Sequence, residues 1–359
     1  MNSIKYNNVR TSAVVNIAAI LIIIAAAMAA RSIITPFLMA IFFSIIMAQP
    51  IYWLEKHKIP QGVGIFLVFG LVLLVVFGFG GIISESFSTF SQDAPAYGVK
   101  LNDMGLGLVG YLNDHGFNIS KDQLTSLLDP SKIMSYTAGI LSELGSLMGN
   151  MALIVFTVIF LLLELNSFNL KVKAIVKGNV NSIAYLTRIG KSIRHYLAIK
   201  TMVSLLTGLL VYIGLLIVGI DYAILWALIA FLLNYIPNFG SIIAGIPAVL
   251  FALVQLGPTG FFWAAIVYVV VNMTIGNIVE PKMMGHGMGL STLIVFISLI
   301  FWGFVLGTVG MFLSVPLTMT LKIMFEQNKR MNWMAIILGT QDDAISILNE
   351  HDKDKELVS

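Results

Sequence analysis

"LNYIPNFGSIIAGIPAVL", Leu233 to Leu250, sets two prolines, two asparagines and two glycines inside an apolar stretch that runs from Thr201 to Phe325. A plain membrane-spanning helix has no use for so many breakers, because each freed N–H or C=O needs a new partner where water is absent. Non-helical backbone is tolerated at that depth only when it is buried in protein or faces a water-filled cavity. This stretch therefore decides between a simple bundle of spans and one whose helices stop and restart inside the membrane.

The surrounding composition places the chain in a bilayer. Of 359 residues, 58% are hydrophobic and 11% charged, and the mean hydropathy is +0.92, whereas a soluble domain carries about 25% charged residues. Apolar runs near the roughly 20 residues that cross a bilayer as helix recur along the chain. Their consecutive apolar residues exclude the alternating pattern of a barrel, so the fold class is an all-α polytopic membrane protein. With no cysteine there is no disulfide, thiol nucleophile or thiolate metal site. The histidines at 57, 115, 195, 286 and 351 lack metal-ligand spacing. No metal, cofactor, nucleic-acid partner or enzymatic activity is expected. Gly105-Leu106-Gly107-Leu108-Val109-Gly110 matches GxGxxG but follows no strand, and Gly190-Lys191-Ser192 lacks the first P-loop glycine, having Tyr185 there. Without an ATP site, movement of a solute would draw on a gradient or be passive, unless an ATPase partner drives it.

Charge orders the loops. Ala13 to Ala30 follows Lys5 and Arg10 and contains Ala27-Met28-Ala29, which fits a cleavable leader as well as a span. A second run, Ile33 to Ile51, follows almost at once, which favours an uncleaved helical hairpin. After a third run, Val63 to Ile83, residues 84–150 carry Lys100, Lys121 and Lys132 against Glu85, Asp93, Asp103, Asp114, Asp122, Asp129 and Glu143. Past a fourth run, Met151 to Leu165, the balance reverses: Lys171, Lys173, Lys177, Arg188, Lys191, Arg194 and Lys200, with no acid. Lys and Arg gather on the cytoplasmic side, so 167–200 is expected inside, 84–150 outside, and both termini inside. Ser120-Lys121-Asp122-Gln123 fits a capping box before Leu124, Leu127 and Leu128, which predicts an amphipathic helix ended or bent at Asp129-Pro130. The expected division is 1–83 (scaffold spans), 84–150 (extracytoplasmic helical segment), 151–200 (fourth span and basic helix), 201–325 (transport domain) and 326–359, a cytoplasmic tail ending in disorder.

Residues 201–325 hold only Asp221, Glu280, Lys282 and Lys322 as formal charges, and they read as a unit repeated. A span, Met202 to Val218, precedes a hairpin over 221–256 that meets Pro237-Asn238-Phe239-Gly240 and then Pro247. Another, Phe261 to Val279, precedes a hairpin over 290–325 that meets Gly307-Thr308-Val309-Gly310 and then Pro316, 69 positions beyond Pro247 (316 − 247). An odd number of crossings separates the copies whether the hairpins span or re-enter, so the repeats are expected to be inverted. Their arms of about 16 residues are short for spans and favour re-entrant hairpins. Inverted repeats with broken helices mark secondary transporters, whose sites lie at the broken ends. Asn234, Pro237, Asn238, Gly240, Gly307 and Gly310 are accordingly candidate substrate-binding residues, with Pro237, Pro247, Pro281 and Pro316 as hinge or break positions. A packing kink is the competing reading of either break alone.

Between the copies, "VNMTIGNIVEPKMMG" (271–285) gathers Asn272, Gly276 and Glu280 at spacings of four, with Asn277 one step round, on one helical face ended by Pro281. Asn272, Asn277 and Glu280 join the candidate site. Glu280 supports two readings, a buried functional acid or an interfacial carboxylate paired with Lys282. Asp221 fits a solvated turn, and Gly303/Gly307 fits a close helix contact.

These motifs carry a resemblance. "LNYIPNFGS", "RHYLAIKT" (194–201) and the run from Gly276 through "EPKMMGHGMG" to Ile323 resemble the autoinducer-2 exporter family of bacterial inner-membrane transporters. The likeness covers nearly the whole chain and is closest to the branch that exports the quorum-sensing signal autoinducer-2. It implies a homo-oligomer, a pentamer in the family, that moves a small polar solute by an elevator-like shift of the hairpin domain amid membrane lipid. On the matching positions, the first break, the asparagine face and Glu280-Pro281 would form the transport region. Other members of the family are described as sodium or lithium–proton antiporters, so antiport is the alternative. A non-transporting envelope scaffold built on 84–150 is a third reading, and it leaves the paired breaks unexplained.

Overall fold

The computed structural model describes residues 13–115, 139, 151–175, 180–284, 289–328, 330–345 and 348. Among them there is no strand. The helices are α1 (Ala13–Ala29), α2 (Arg31–Lys56), α3 (Gln61–Asp114), α4 (Met151–Ile175), α5 (Val180–Val218), α6 (Ala223–Leu233), α7 (Gly240–Thr274), a π-helical turn (Ile275–Val279), α8 (Glu280–Met284), α9 (Thr292–Leu306), α10 (Thr308–Gln327) and α11 (Asn332–Leu338). Four stretches are long and apolar enough to cross a membrane: Arg31–Lys56, Thr187–Val218, Gly240–Met284 and Thr308–Gln327. Val14, Ile17, Ile20, Leu21 and Ile22 of α1 are all exposed, a surface that only lipid or other protein can cover. The protein is an all-α polytopic membrane protein.

Helix α3 continues the third apolar run through the acidic segment to Asp114, about 81 Å of helix at 1.5 Å per residue. Its far half reaches the base of the α6–α7 unit. Tyr222 donates to Asp93 Oδ2 at 2.6 Å and Lys100 Nζ donates to the Gln255 carbonyl at 2.7 Å. Gln255 in turn accepts from the Asp221 N–H at 2.9 Å and donates to the Gly219 carbonyl at 3.1 Å, and Asp221 is exposed. The capping box at Ser120–Gln123 and the helix expected after it lie outside the described residues.

The core centres on α5, α6 and α7, where Trp226 and Phe251 are almost fully buried and their ring centroids stand 5.6 Å apart. Small residues let these helices approach. A Cβ on Gly214 would stand 2.5 Å from Val267, and one on Gly245 would stand 3.0 Å from the Tyr268 ring. Among the described residues, the buried Tyr268 hydroxyl has no hydrogen-bond partner.

The first interruption falls where the breakers cluster. Helix α6 ends at Leu233, residues 234–239 form turns, and α7 restarts at Gly240. Pro237 has no N–H to continue a ladder, and Asn238 takes φ +62°, the left-handed region that Asn tolerates better than most residues. The Leu233 carbonyl lies so close to Gly240 that a Cβ there would stand 1.7 Å from its oxygen. The second interruption is Gly307, at φ +67°, between α9 and α10. Again a glycine on the restarted helix meets the carbonyl end of the previous arm: a Cβ on Gly310 would stand 1.9 Å from the Trp302 oxygen. Met311 packs over Gly303, where a Cβ would stand 2.9 Å from its Cγ.

The prolines behave differently from the sequence expectation. Pro247 and Pro316 stand inside helices that continue through them, each leaving one carbonyl, four residues back, without its helical donor. The interruption in α7 is instead at Gly257, φ +76°, just before Pro258. Pro281 occupies the second position of α8, where its missing N–H leaves one carbonyl of the preceding π turn without a helical donor. The helix expected to stop there runs on, through the π turn, to Met284.

Candidate functional site

The break at 234–239, the π turn, the middle of α5, the start of α9 and the C-terminal segment surround one cavity of about 880 Å³. Asn234 and Asn238 reach it from the break and Ser241 from the first turn of α7. Asn272, Gly276, Asn277, Glu280 and Pro281 reach it from the opposite wall. The π turn widens the helix by one residue over Ile275–Val279. Residues 272, 276, 277, 280 and 281 all line the cavity along this stretch.

Helix α5 supplies a wall that the sequence reading missed. Lys200, Ser204 and Thr207 recur at helical spacing, and all three are buried; Lys200 and Thr207 line the cavity. Lys200 is 2% exposed, and its Nζ donates to Glu280 Oε1 at 2.6 Å. The partner of Glu280 is thus Lys200, 80 residues away, while the adjacent Lys282 is exposed. Ser204 accepts from Asn234 Nδ2 at 3.1 Å, which fixes the asparagine amide against α5. Thr207 donates to the Val203 carbonyl at 2.9 Å. One residue after Lys200, Thr201 accepts from the Tyr235 hydroxyl at 2.9 Å, so two bonds tie the break to α5. The signal that could have pointed to this wall is the polar stripe at i, i+4 and i+7 on an otherwise apolar helix.

The mouth of the cavity is built by the C-terminal segment. Thr340, Asp342 and Asp343 line it together with Gly289, Leu290 and Thr292. Thr340 and Asp343 form a reciprocal cap: the Thr340 N–H donates to Asp343 Oδ2 and the Asp343 N–H donates to Thr340 Oγ1, both at 3.2 Å. Lys322 of α10, 8% exposed, donates to Asp343 Oδ2 at 2.7 Å and to the Gly289 carbonyl. The Ser291 N–H donates to the Leu338 carbonyl at 3.2 Å. Partial burial pushes the Asp343 carboxyl upward, but the hydrogen bonds from Lys322 and Thr340 and the charge of Lys322 outweigh it and hold the carboxyl below its ordinary range.

Not every candidate residue meets here. Pro237 and Gly240 are buried in the break itself, and neither lines the cavity. Gly307 and Gly310 lie at the far end of α9 from Thr292, about 22 Å along the helix axis. The Arg31 guanidinium packs on Gly307, where a Cβ would stand 1.7 Å from its Nη2.

A helical membrane protein with an apolar exterior and a polar cavity at a helix break defines a transport protein better than any soluble class. The chain belongs to the AI-2E transporter family, whose model matches residues 17–330. A Haemophilus influenzae protein, whose provisional name gives transport without a solute, is 40% identical over 91% of this chain and 96% of its own length. The provisionally named transport protein YhhT of Escherichia coli K12 is 36% identical over 90% and 93%. The AI-2 transport protein TqsA of the same strain is 34% identical over 86% and 90%. The family and these relatives are transport proteins, not enzymes.

Proposed function

We propose that the chain is a secondary transporter of the bacterial inner membrane that exports a small, polar, multiply hydroxylated solute, autoinducer-2 being the first candidate. The observation that carries this reading is the cavity itself. Asn234, Asn238, Asn272 and Asn277, with Ser241 and Thr207, present hydroxyl and amide groups from two sides of one space, and such groups replace the water hydrogen bonds that a hydroxylated solute gives up. Its roughly 880 Å³ accommodates a sugar-sized molecule with several waters at about 30 Å³ each. The kinship with TqsA supports the choice of first solute.

Both termini and residues 167–200 are cytoplasmic in this reading and 84–114 lies outside, on the lysine and arginine bias. The cavity, bounded by the C-terminal segment, then opens inward, while the Gly307 break sits toward the outer face beside Arg31. The two helix–break–helix units form inverted re-entrant hairpins that shift against the N-terminal spans as an elevator, within a homo-oligomer. Glu280 in the cavity wall is the observation behind the second reading, sodium or lithium–proton antiport.

Flux of autoinducer-2 from proteoliposomes holding the purified protein tests the assignment. Saturable flux is expected, and Asn272→Leu should lower it at least tenfold, the equivalent of about 1.4 kcal/mol for one lost polar contact. Asn272→Leu protein with wild-type flux would remove the asparagine wall from the site.

A further inference from the structure

Glu280 is the only acid that residues 201–325 bring to the cavity wall, since Asp221 is exposed elsewhere. A carboxylate so largely withdrawn from water is stabilised by a positive charge beside it, and in an ion-driven carrier that charge is a sodium ion or proton taken up in each cycle. Here the charge is built into the fold. Lys200 Nζ lies 2.6 Å from Glu280 Oε1, with the lysine side chain 3% and the glutamate side chain 19% exposed. Among the described residues, each is the other's sole bonded partner. The other ionisable groups nearby do not supply the charge. Tyr196 and Tyr235 offer neutral hydroxyls, Lys282 is exposed, and across the cavity Asp343 is already held by Lys322 while Asp342 is a further acid.

We propose that Lys200 is a resident counter-cation standing where a coupling ion would bind, so that the cavity carries its neutral solute without obligatory sodium or proton movement. The inference rests on the transport reading above and deepens it: the export step is passive, down the solute's own gradient. The pair keeps capacity for such a solute. The ammonium uses one of its three donors on Glu280, and the carboxylate has lone pairs free for hydroxyl groups. A neutral polyol can therefore insert bonds at both charges without separating them, whereas a cation would have to displace Lys200 into an apolar wall.

Two measurements on the purified full chain decide the matter. The first is thermal melting in detergent at constant ionic strength, with sodium exchanged for choline and with pH varied. Wild type should melt alike in both salts. Lys200→Met should gain a rise of several degrees in sodium or at lower pH, as Glu280 recruits a cation that binds only the folded state, and Lys200→Met/Glu280→Gln should lose that rise. A sodium-dependent rise in wild type that Glu280→Gln abolishes, or no ion dependence in well-folded Lys200→Met, overturns the proposal. The second is autoinducer-2 flux, expected to change less than twofold when a sodium or proton gradient is imposed; a tenfold rise overturns passivity. If Lys200→Met cannot be isolated, wild-type melting and flux still decide. If wild type carries no autoinducer-2, the transport reading fails for that solute, and melting judges the counter-cation separately.

Discussion

Gly240→Ala is the sharpest test of the first break, because its penalty follows from one distance. The Leu233 carbonyl oxygen would stand 1.7 Å from the new Cβ, against an ordinary contact of 3.4 Å or more. The arms must therefore separate by about 1.7 Å (3.4 − 1.7), and the obstacle is backbone, which has no rotamer to give way. Overpacking against side chains costs about 1–3 kcal/mol, so a fixed carbonyl puts Gly240→Ala at roughly 3 kcal/mol or above. Gly310→Ala faces the Trp302 carbonyl at 1.9 Å and belongs in the same range. On a scale of about 2–4 °C per kcal/mol, both variants should melt roughly 6–12 °C below wild type in detergent. Gly190→Ala, in α5 with nothing within 4 Å of its Cβ, is the control and should be neutral or gain up to about 1 kcal/mol from helix propensity. Gly240→Ala melting within a degree of wild type would refute the tight junction between α6 and α7.

Three further outcomes follow from named contacts. Tyr268→Phe removes a buried hydroxyl that has no partner among the described residues, so its melting point should rise, by the equivalent of about 1 kcal/mol, and a fall would mean the hydroxyl is satisfied by water. The Asp343 carboxyl is held below its ordinary range, so its contribution to docking of 332–345 is fully present above the unfolded carboxylate range and lost as pH falls through the folded value. Hydrogen exchange over 332–345, corrected for intrinsic rate, should therefore be flat from neutral pH down to about 5 and rise below about 4, with Asp343→Asn already fast at neutral pH. Lys100→Met and Tyr222→Phe each cut one tie between α3 and the base of the α6–α7 unit. Both should speed proteolysis of α3 beyond Asp93 while shifting the melting point by less than about 1 kcal/mol, as expected of exposed contacts.

The features visible in the sequence are those whose cause is local, and the features missed are those set by contacts between distant segments. Pro237, Asn238 and Gly240 interrupt a helix by their own chemistry, so the break at 234–239 was legible from Leu233 to Leu250 alone. Composition was enough for the membrane and the all-helical architecture. Pro247 misled for a complementary reason: a proline removes only one donor, and α7 stays helical through it, while Gly257 with φ +76° breaks the same helix. In the sequence Lys200 falls among the cytoplasmic cations because it closes an acid-free run with Arg188, Lys191 and Arg194. Only the packing of α5 against the π turn carries it out of water to Glu280. Thr340 and Asp343, too, form a local cap that says nothing of Lys322 until α10 stands beside it. The two breaks share a device, a glycine set on the carbonyl end of the preceding arm, yet one lines the cavity and the other faces Arg31. On the elevator mechanism proposed above, such equal local construction with unequal surroundings belongs to one held state of two alternating halves. The Gly307 break should then gain a polar cavity in the state where the 234–239 break loses its own, and a cysteine at Thr308 should react faster with a charged outside reagent when that state is populated.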